Sequence, residues 1–183
     1  MKLLTDLQLI GLLKQGEKGS FEEIYSRYSQ KIFSFFYRML WKDKQLAEDC
    51  TQELFLKLIK HSSTFDETKS FSTWLYSIAN NMCKNEYRKA EVRKRNSILN
   101  AETIAKPENP DWKRFKGALL DYVNKLSDEK KSLYILRFQE NLPLSEIGEI
   151  LNIPEGTVKS RIFYLLKELK IQLKPYETLI TYP

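Results

Sequence analysis

Apolar residues recur along this chain at helical spacing, and no segment sustains the period-two alternation of a half-buried strand. The densest stripe is aromatic. Phe21, Ile24, Tyr25, Tyr28, Ile32, Phe35, Phe36 and Met39 predict a helix with rings along its inner face. Ahead of it, Thr5–Gln8 (TDLQ) has the form of a capping box for a short helix ending near Gly16, and Ser20–Glu23 (SFEE) has the form of a second box. Asp43 stands where it can cap a third helix reaching about Lys60, with Leu46, Cys50, Leu54, Leu58 and Ile59 inward. After the polar loop His61–Ser70, a fourth helix carries Phe71, Trp74, Leu75, Ile78, Ala79 and Met82 on one face. Trp74 sits squarely on that stripe and is read as core.

The pattern then lapses. Asn96–Pro110 has no aromatic residue, two prolines and no stripe, and reads as a linker; fully extended, it reaches about 50 Å. A second helical unit begins near Asp111, with Phe115, Leu119, Tyr122, Val123 and Leu126 on its first helix and Leu133 and Leu136 on its second. The expected fold is therefore all-α: two small helical domains, 1–95 and 111–174, joined by a flexible linker, 96–110, with a short tail, 175–183.

Leu142–Leu169 is the most informative stretch. Ser145 can cap a short helix with Ile147, Ile150 and Leu151 buried, and Asn152 tolerates the left-handed turn that must follow. Pro154 suits the start of the next helix. There Val158, Ile162, Leu165, Leu166 and Leu169 form an apolar stripe, while Thr157, Lys159, Ser160, Phe163 and Lys167 lie opposite. One face to hold and one to offer bases and phosphates is what a helix-turn-helix needs. An ordinary helical hairpin explains the stripe but not the agreement of turn chemistry with the polar face.

Composition narrows the function. The net charge of +6 and pI near 9.1 fit a nucleic-acid partner without establishing one. The excess lies in residues 1–95, at +5, and residues 84–95 alone carry +4. No apolar run is long enough to cross a bilayer, and the start MKLLTDLQLIG does not read as a signal peptide, so a cytoplasmic protein without membrane insertion is expected. Cys50 and Cys83 form no CxxC pair and are read as buried thiols of a reducing compartment. His61 is the single histidine, and no Gly-rich phosphate loop or paired-carboxylate constellation is evident. Neither an enzyme nor a cofactor or metal site is expected.

Two blocks, Leu46–Lys89 and Leu126–Lys170, resemble regions two and four of the extracytoplasmic-function sigma factors, two-domain members of the bacterial sigma-70 family. The resemblance covers about residues 5–172. It implies a promoter-specificity subunit whose partners are promoter DNA and core RNA polymerase, at the clamp coiled coil and the flap region, with room for an anti-sigma factor. Asp49, Gln52, Glu53, Leu56 and Lys57 match the polymerase-docking positions. Phe65, Asp66, Thr68, Lys69 and Ser70 match the loop that captures a flipped base of the −10 element. Phe65 suits either a wall for that base or an anchor for the loop. Asn80, Asn81, Lys84, Asn85, Arg88 and Lys89 match the helix lying along the opening strand. Gly156, Thr157 and Arg161 match the phosphate-facing start of the −35 helix, and Lys159, Ser160, Phe163 and Tyr164 its base- or backbone-facing positions. Related factors often carry Arg where Tyr164 stands. A free-standing helix-turn-helix regulator is the competing reading, against which stands an amino-terminal half without strand pattern.

Overall fold

Four amphipathic helices form the amino-terminal half: α1 (Asp6–Lys14), α2 (Lys18–Met39), α3 (Lys44–His61) and α4 (Phe71–Lys94). They come from a computed structural model that describes residues 3–94 and 110–176, with side chains described for 3–91 and 113–176. Most of the expected linker and tail, and Arg95, lie outside the described residues. Thr5 caps α1 through the reciprocal box with Gln8, and Asp43 caps α3 by accepting from Leu46 N–H at 3.0 Å. The second box does not form. Helix α2 starts two residues before Ser20, whose hydroxyl bonds back to the Glu17 carbonyl, so Ser20 is interior and buried. Ile24, Tyr28, Ile32, Phe35, Phe36 and Met39 are buried as the stripe predicts, but Tyr25 is exposed at the rim. On α3 the inward face is Ala47, Cys50, Thr51, Leu54, Phe55 and Leu58, whereas Ile59 points outward.

The second half comprises α5 (Pro110–Lys125), α6 (Asp128–Phe138), α7 (Leu144–Leu151) and α8 (Glu155–Gln172). Among the described residues there is no strand. Helix α7 begins at Leu144 after Pro143, so Ser145 lies inside it and makes no cap bond. Asn152 adopts the left-handed conformation, φ 57° and ψ 49°, and turns the chain into α8. The turn is tight because α7 presents a glycine to it. A Cβ on Gly148 would stand 2.8 Å from the Ile153 carbonyl oxygen.

The two helical sets pack face to face. Helix α7 lies along α4, and α6 lies against α2 and α4. Leu133, Ile135, Leu136, Ile147, Ile150, Val158 and Leu165 belong to the same buried cluster as the cores of α1–α4. Polar bonds also cross the junction. Thr73 Oγ1 donates to Glu146 at 2.7 Å, Tyr76 to Glu140 at 2.7 Å, and Arg38 pairs with the other oxygen of Glu140 at 2.8 Å.

Candidate nucleic-acid interface

Among the described residues, helix α8 is buried along one face. Val158 and Leu165 are fully buried and Ile162 is half-buried, whereas Leu166, which the stripe placed inward, is exposed. Gly156, Lys159, Ser160, Arg161, Phe163 and Tyr164 are exposed, and Thr157 is half-buried. Thr157 and Val158 N–H bond to the Pro154 carbonyl at 2.9 and 3.1 Å, leaving the amides of Glu155 and Gly156 at an open helix N-terminus suited to a phosphate. Phe163 and Tyr164, 63% and 61% exposed, meet edge to face with centroids 5.5 Å apart. Two large rings held in water offer apolar edges of the kind a thymine methyl contacts. Ser160 is less free, since its hydroxyl donates to the Thr157 carbonyl at 3.0 Å. Arg161 pairs with Glu129 of α6 at 3.2 Å, which anchors it beside the helix start.

The loop between α3 and α4 is ordered by its own side chains. Asp66 accepts from both Thr68 N–H, at 3.0 Å, and Thr68 Oγ1, at 2.7 Å, and those bonds hold its carboxyl below its ordinary range. Lys69 and Ser70 remain exposed, Ser70 within 2.9 Å of Ser72. Phe65 is no open wall. It is buried against Phe71 and Trp74, with centroids 5.8 and 5.1 Å away, so it anchors the loop. Trp74 is half-buried in the same ring cluster, packed against the edge of the core rather than inside it.

On α4, Asn81, Lys84, Asn85, Arg88 and Lys89 are exposed, Lys89 paired with Glu86 at 2.6 Å. Asn80 departs from its expected place beside DNA. It is fully buried, accepting from Ser132 Oγ of α6 at 2.9 Å, because α6 covers this face of the helix. The apolar stripe of α4 alone does not report this contact. Thr73, Tyr76, Asn80, Cys83 and Tyr87 form a second stripe at spacings of three and four, mixed in polarity and buried throughout. Burial pushes the Cys83 thiol well up and Cys50 to about 11, so both are thiols at neutral pH. Behind the stripe Lys131 is buried too, its ammonium 3.2 Å from the Met39 carbonyl and its pKa lowered by desolvation.

The outer face of α3 carries Asp49, Gln52, Glu53 and Leu56, all exposed, with Lys57 half-buried and paired to Glu53 at 2.8 Å. Leu56 is 68% exposed, an apolar side chain ringed by charge on a rigid helix. That combination suits helix-to-helix docking. Among the described residues no group of His, Cys, Asp and Glu is placed to hold a metal, and no helix is long and apolar enough to cross a membrane.

Comparison with known proteins places both halves. Residues 24–93 match the family described as Sigma-70 region 2, and residues 116–169 match Sigma-70, region 4. The ECF RNA polymerase sigma factor SigW of Bacillus subtilis (strain 168) is 34% identical over 175 residues, covering 88% of this chain and 93% of that protein. The ECF RNA polymerase sigma-E factor of Haemophilus influenzae (strain ATCC 51907 / DSM 11121 / KW20 / Rd) is 30% identical over 185 residues, covering 94% and 97%. Among solved structures, CnrH in complex with the cytosolic domain of CnrY shares the fold at a TM-score of 0.71 and 18% identity, over 93% of this chain and 97% of that one. The sigma factor RpoE bound to the anti-sigma factor NepR, from Bartonella quintana, does so at 0.67 and 23%, over 84% and 96%.

Proposed function

This chain belongs to the sigma-70 family, as an extracytoplasmic-function sigma factor and so an alternative sigma subunit of RNA polymerase, and on that premise we propose how its surfaces share the work. The α3 face of Asp49, Gln52, Glu53, Leu56 and Lys57 grips the clamp coiled coil of core polymerase, and the carboxy-terminal domain meets the flap region. Helix α8 enters the major groove of the −35 element. Its N-terminal amides, Thr157 and Arg161 take phosphates, while Lys159, Ser160, Phe163 and Tyr164 face the bases or the backbone beside them. The loop Asp66–Ser70 and the exposed side of α4 take the opened −10 strand, with Arg88 and Lys89 on phosphates. Trapping a flipped base offsets the few kcal/mol of stacking lost, so strands part without bond chemistry. Region two acts over residues 1–95, region four over 111–174, and 96–110 connects them. The protein works in the cytoplasm, catalyses no reaction of its own, and is open to capture by an anti-sigma factor.

The observation that carries this reading is the face of α8: a cation, a hydroxyl and two bare rings on a helix pinned by Val158 and Leu165. With reconstituted polymerase and start sites mapped on genomic DNA, Lys159→Ala with Ser160→Ala is expected to abolish promoter use while the variant still co-elutes with core enzyme. Loss of polymerase binding in that variant would refute the assignment of α8 to DNA.

A further inference from the structure

Among the described residues a positive φ is taken by Gly16, Asn141 and Asn152, residue types that accept it at little cost, and by two neighbours that do not, Trp41 at 54° and Lys42 at 59°. The pair forms the turn between α2 and α3. A side chain as bulky as Trp is an outlier in this conformation, because its Cβ crowds the following carbonyl. Such strain persists where the surroundings impose it. Here Leu40 N–H bonds to the Phe36 carbonyl at 2.7 Å and Lys42 N–H to the Tyr37 carbonyl at 3.0 Å, which wraps the turn over the end of α2. Tyr87 of α4 donates its hydroxyl to the Met39 carbonyl and pins the same end. Deep burial of the ring would offset the strain, yet Trp41 stays 44% exposed.

A second observation concerns what stands beside that ring. Trp41 rests edge to face on Tyr87, with centroids 5.2 Å apart. Tyr87 ends the buried seam of α4 formed by Thr73, Tyr76, Asn80, Cys83 and itself. Lys84 and Arg88 stand exposed within a turn of it, and Lys42 follows Trp41 in the chain. The adjacent carboxylate, Asp43, faces the Leu46 amide as the α3 cap. An exposed aromatic face beside cations spaced along a helix suits unpaired nucleotides, with phosphates on the cations and a base stacked on the ring. Paired DNA keeps its base faces inside the stack and offers none to such a ring. A protein partner would accept an exposed Trp too, but the surrounding cations favour a polyanion.

We propose that Trp41 is a stacking platform for an unpaired base of the opened −10 strand, set at the end of the phosphate track of Lys84 and Arg88. The strained, exposed ring is independent of the sigma-factor reading; the identity of the strand it meets rests on that reading. Base–aromatic stacking is tolerant of sequence, so the platform holds the strand open without selecting which base lies on it.

The test uses holoenzyme reconstituted from core polymerase and the full chain, on a DNA fragment carrying a mapped promoter whose −10 region is held open by mismatches. Trp41→Asn suits the left-handed backbone and removes the ring. It is expected to weaken binding of the opened fragment about fivefold to a hundredfold, the range of one base–aromatic stack. Trp41→Phe, which keeps a ring, is expected to recover most of the loss. Co-elution with core polymerase and binding to a fully paired −35 fragment are expected to match wild type in both variants. 2-Aminopurine placed along the opened strand is expected to be quenched by stacking at one position in the wild-type complex and to brighten there in Trp41→Asn. Undiminished binding of the opened fragment by Trp41→Asn overturns the platform and leaves the sigma-factor reading standing. Loss of core co-elution or of −35 binding in that variant makes the ring a protein contact or a packing residue, and overturns the platform as well. A wild-type holoenzyme that ignores the opened fragment overturns both.

Discussion

Gly148 shows how far single positions decide this molecule. Its missing Cβ lets the Ile153 carbonyl close over α7, and backbone oxygen cannot swing aside as a side chain can. Gly148→Ala is expected to destabilise the protein by about 1–3 kcal/mol, read as a lower urea midpoint at unchanged slope. An unchanged midpoint would mean the turn relaxes freely. Asn152 in the same turn was legible in the sequence, since few residue types accept positive φ, and it takes that conformation here. Gly148 was not, because a glycine inside a helical pattern does not announce which backbone approaches it. Ser20 and Ser145 misled for a related reason. A serine that fits a cap position fits equally well inside a first turn, where Ser20 bonds to the Glu17 carbonyl.

At the scale of elements, periodicity found the helices but only one face of each. The aromatic stripe of α2 was readable because its residues are apolar. The seam of α4 was not, because Thr, Tyr and Asn look like a solvated face until partners for them are known. Phe65 likewise fitted two roles from the sequence, and only the rings around it chose the anchor. The ties that orient α8 were also hidden, being made between distant segments. Glu168 accepts from Lys130 at 2.7 Å and from Tyr122 at 3.1 Å, and these bonds hold its carboxyl below its ordinary 4.5. A depressed carboxyl pKa contributes stability above the unfolded value that is lost as pH falls through the folded one. Amide exchange in α8 is therefore expected to quicken as pH is lowered below about 4.5, after correction for intrinsic rates, and Glu168→Gln to flatten that response. An identical acid response in the variant would place the sensitivity elsewhere.

For the whole molecule, the sequence carried the division into two helical units, because the pattern lapses between Asn96 and Pro110. It did not carry their contact. A stripe reports that a face is covered, not what covers it, and the covering residues Ser132, Glu140 and Glu146 lie 52 to 73 positions from their partners. The polymerase-docking role proposed for the α3 face is the one on which every other proposed role depends. Purified protein passed over a sizing column with core RNA polymerase stripped of its own sigma factor tests it most directly. A one-to-one complex is expected, displaced by a housekeeping sigma factor and weakened by charge reversal at Asp49 and Glu53. No complex, with tight binding to duplex DNA by the free protein instead, would contradict the division of surfaces set out here.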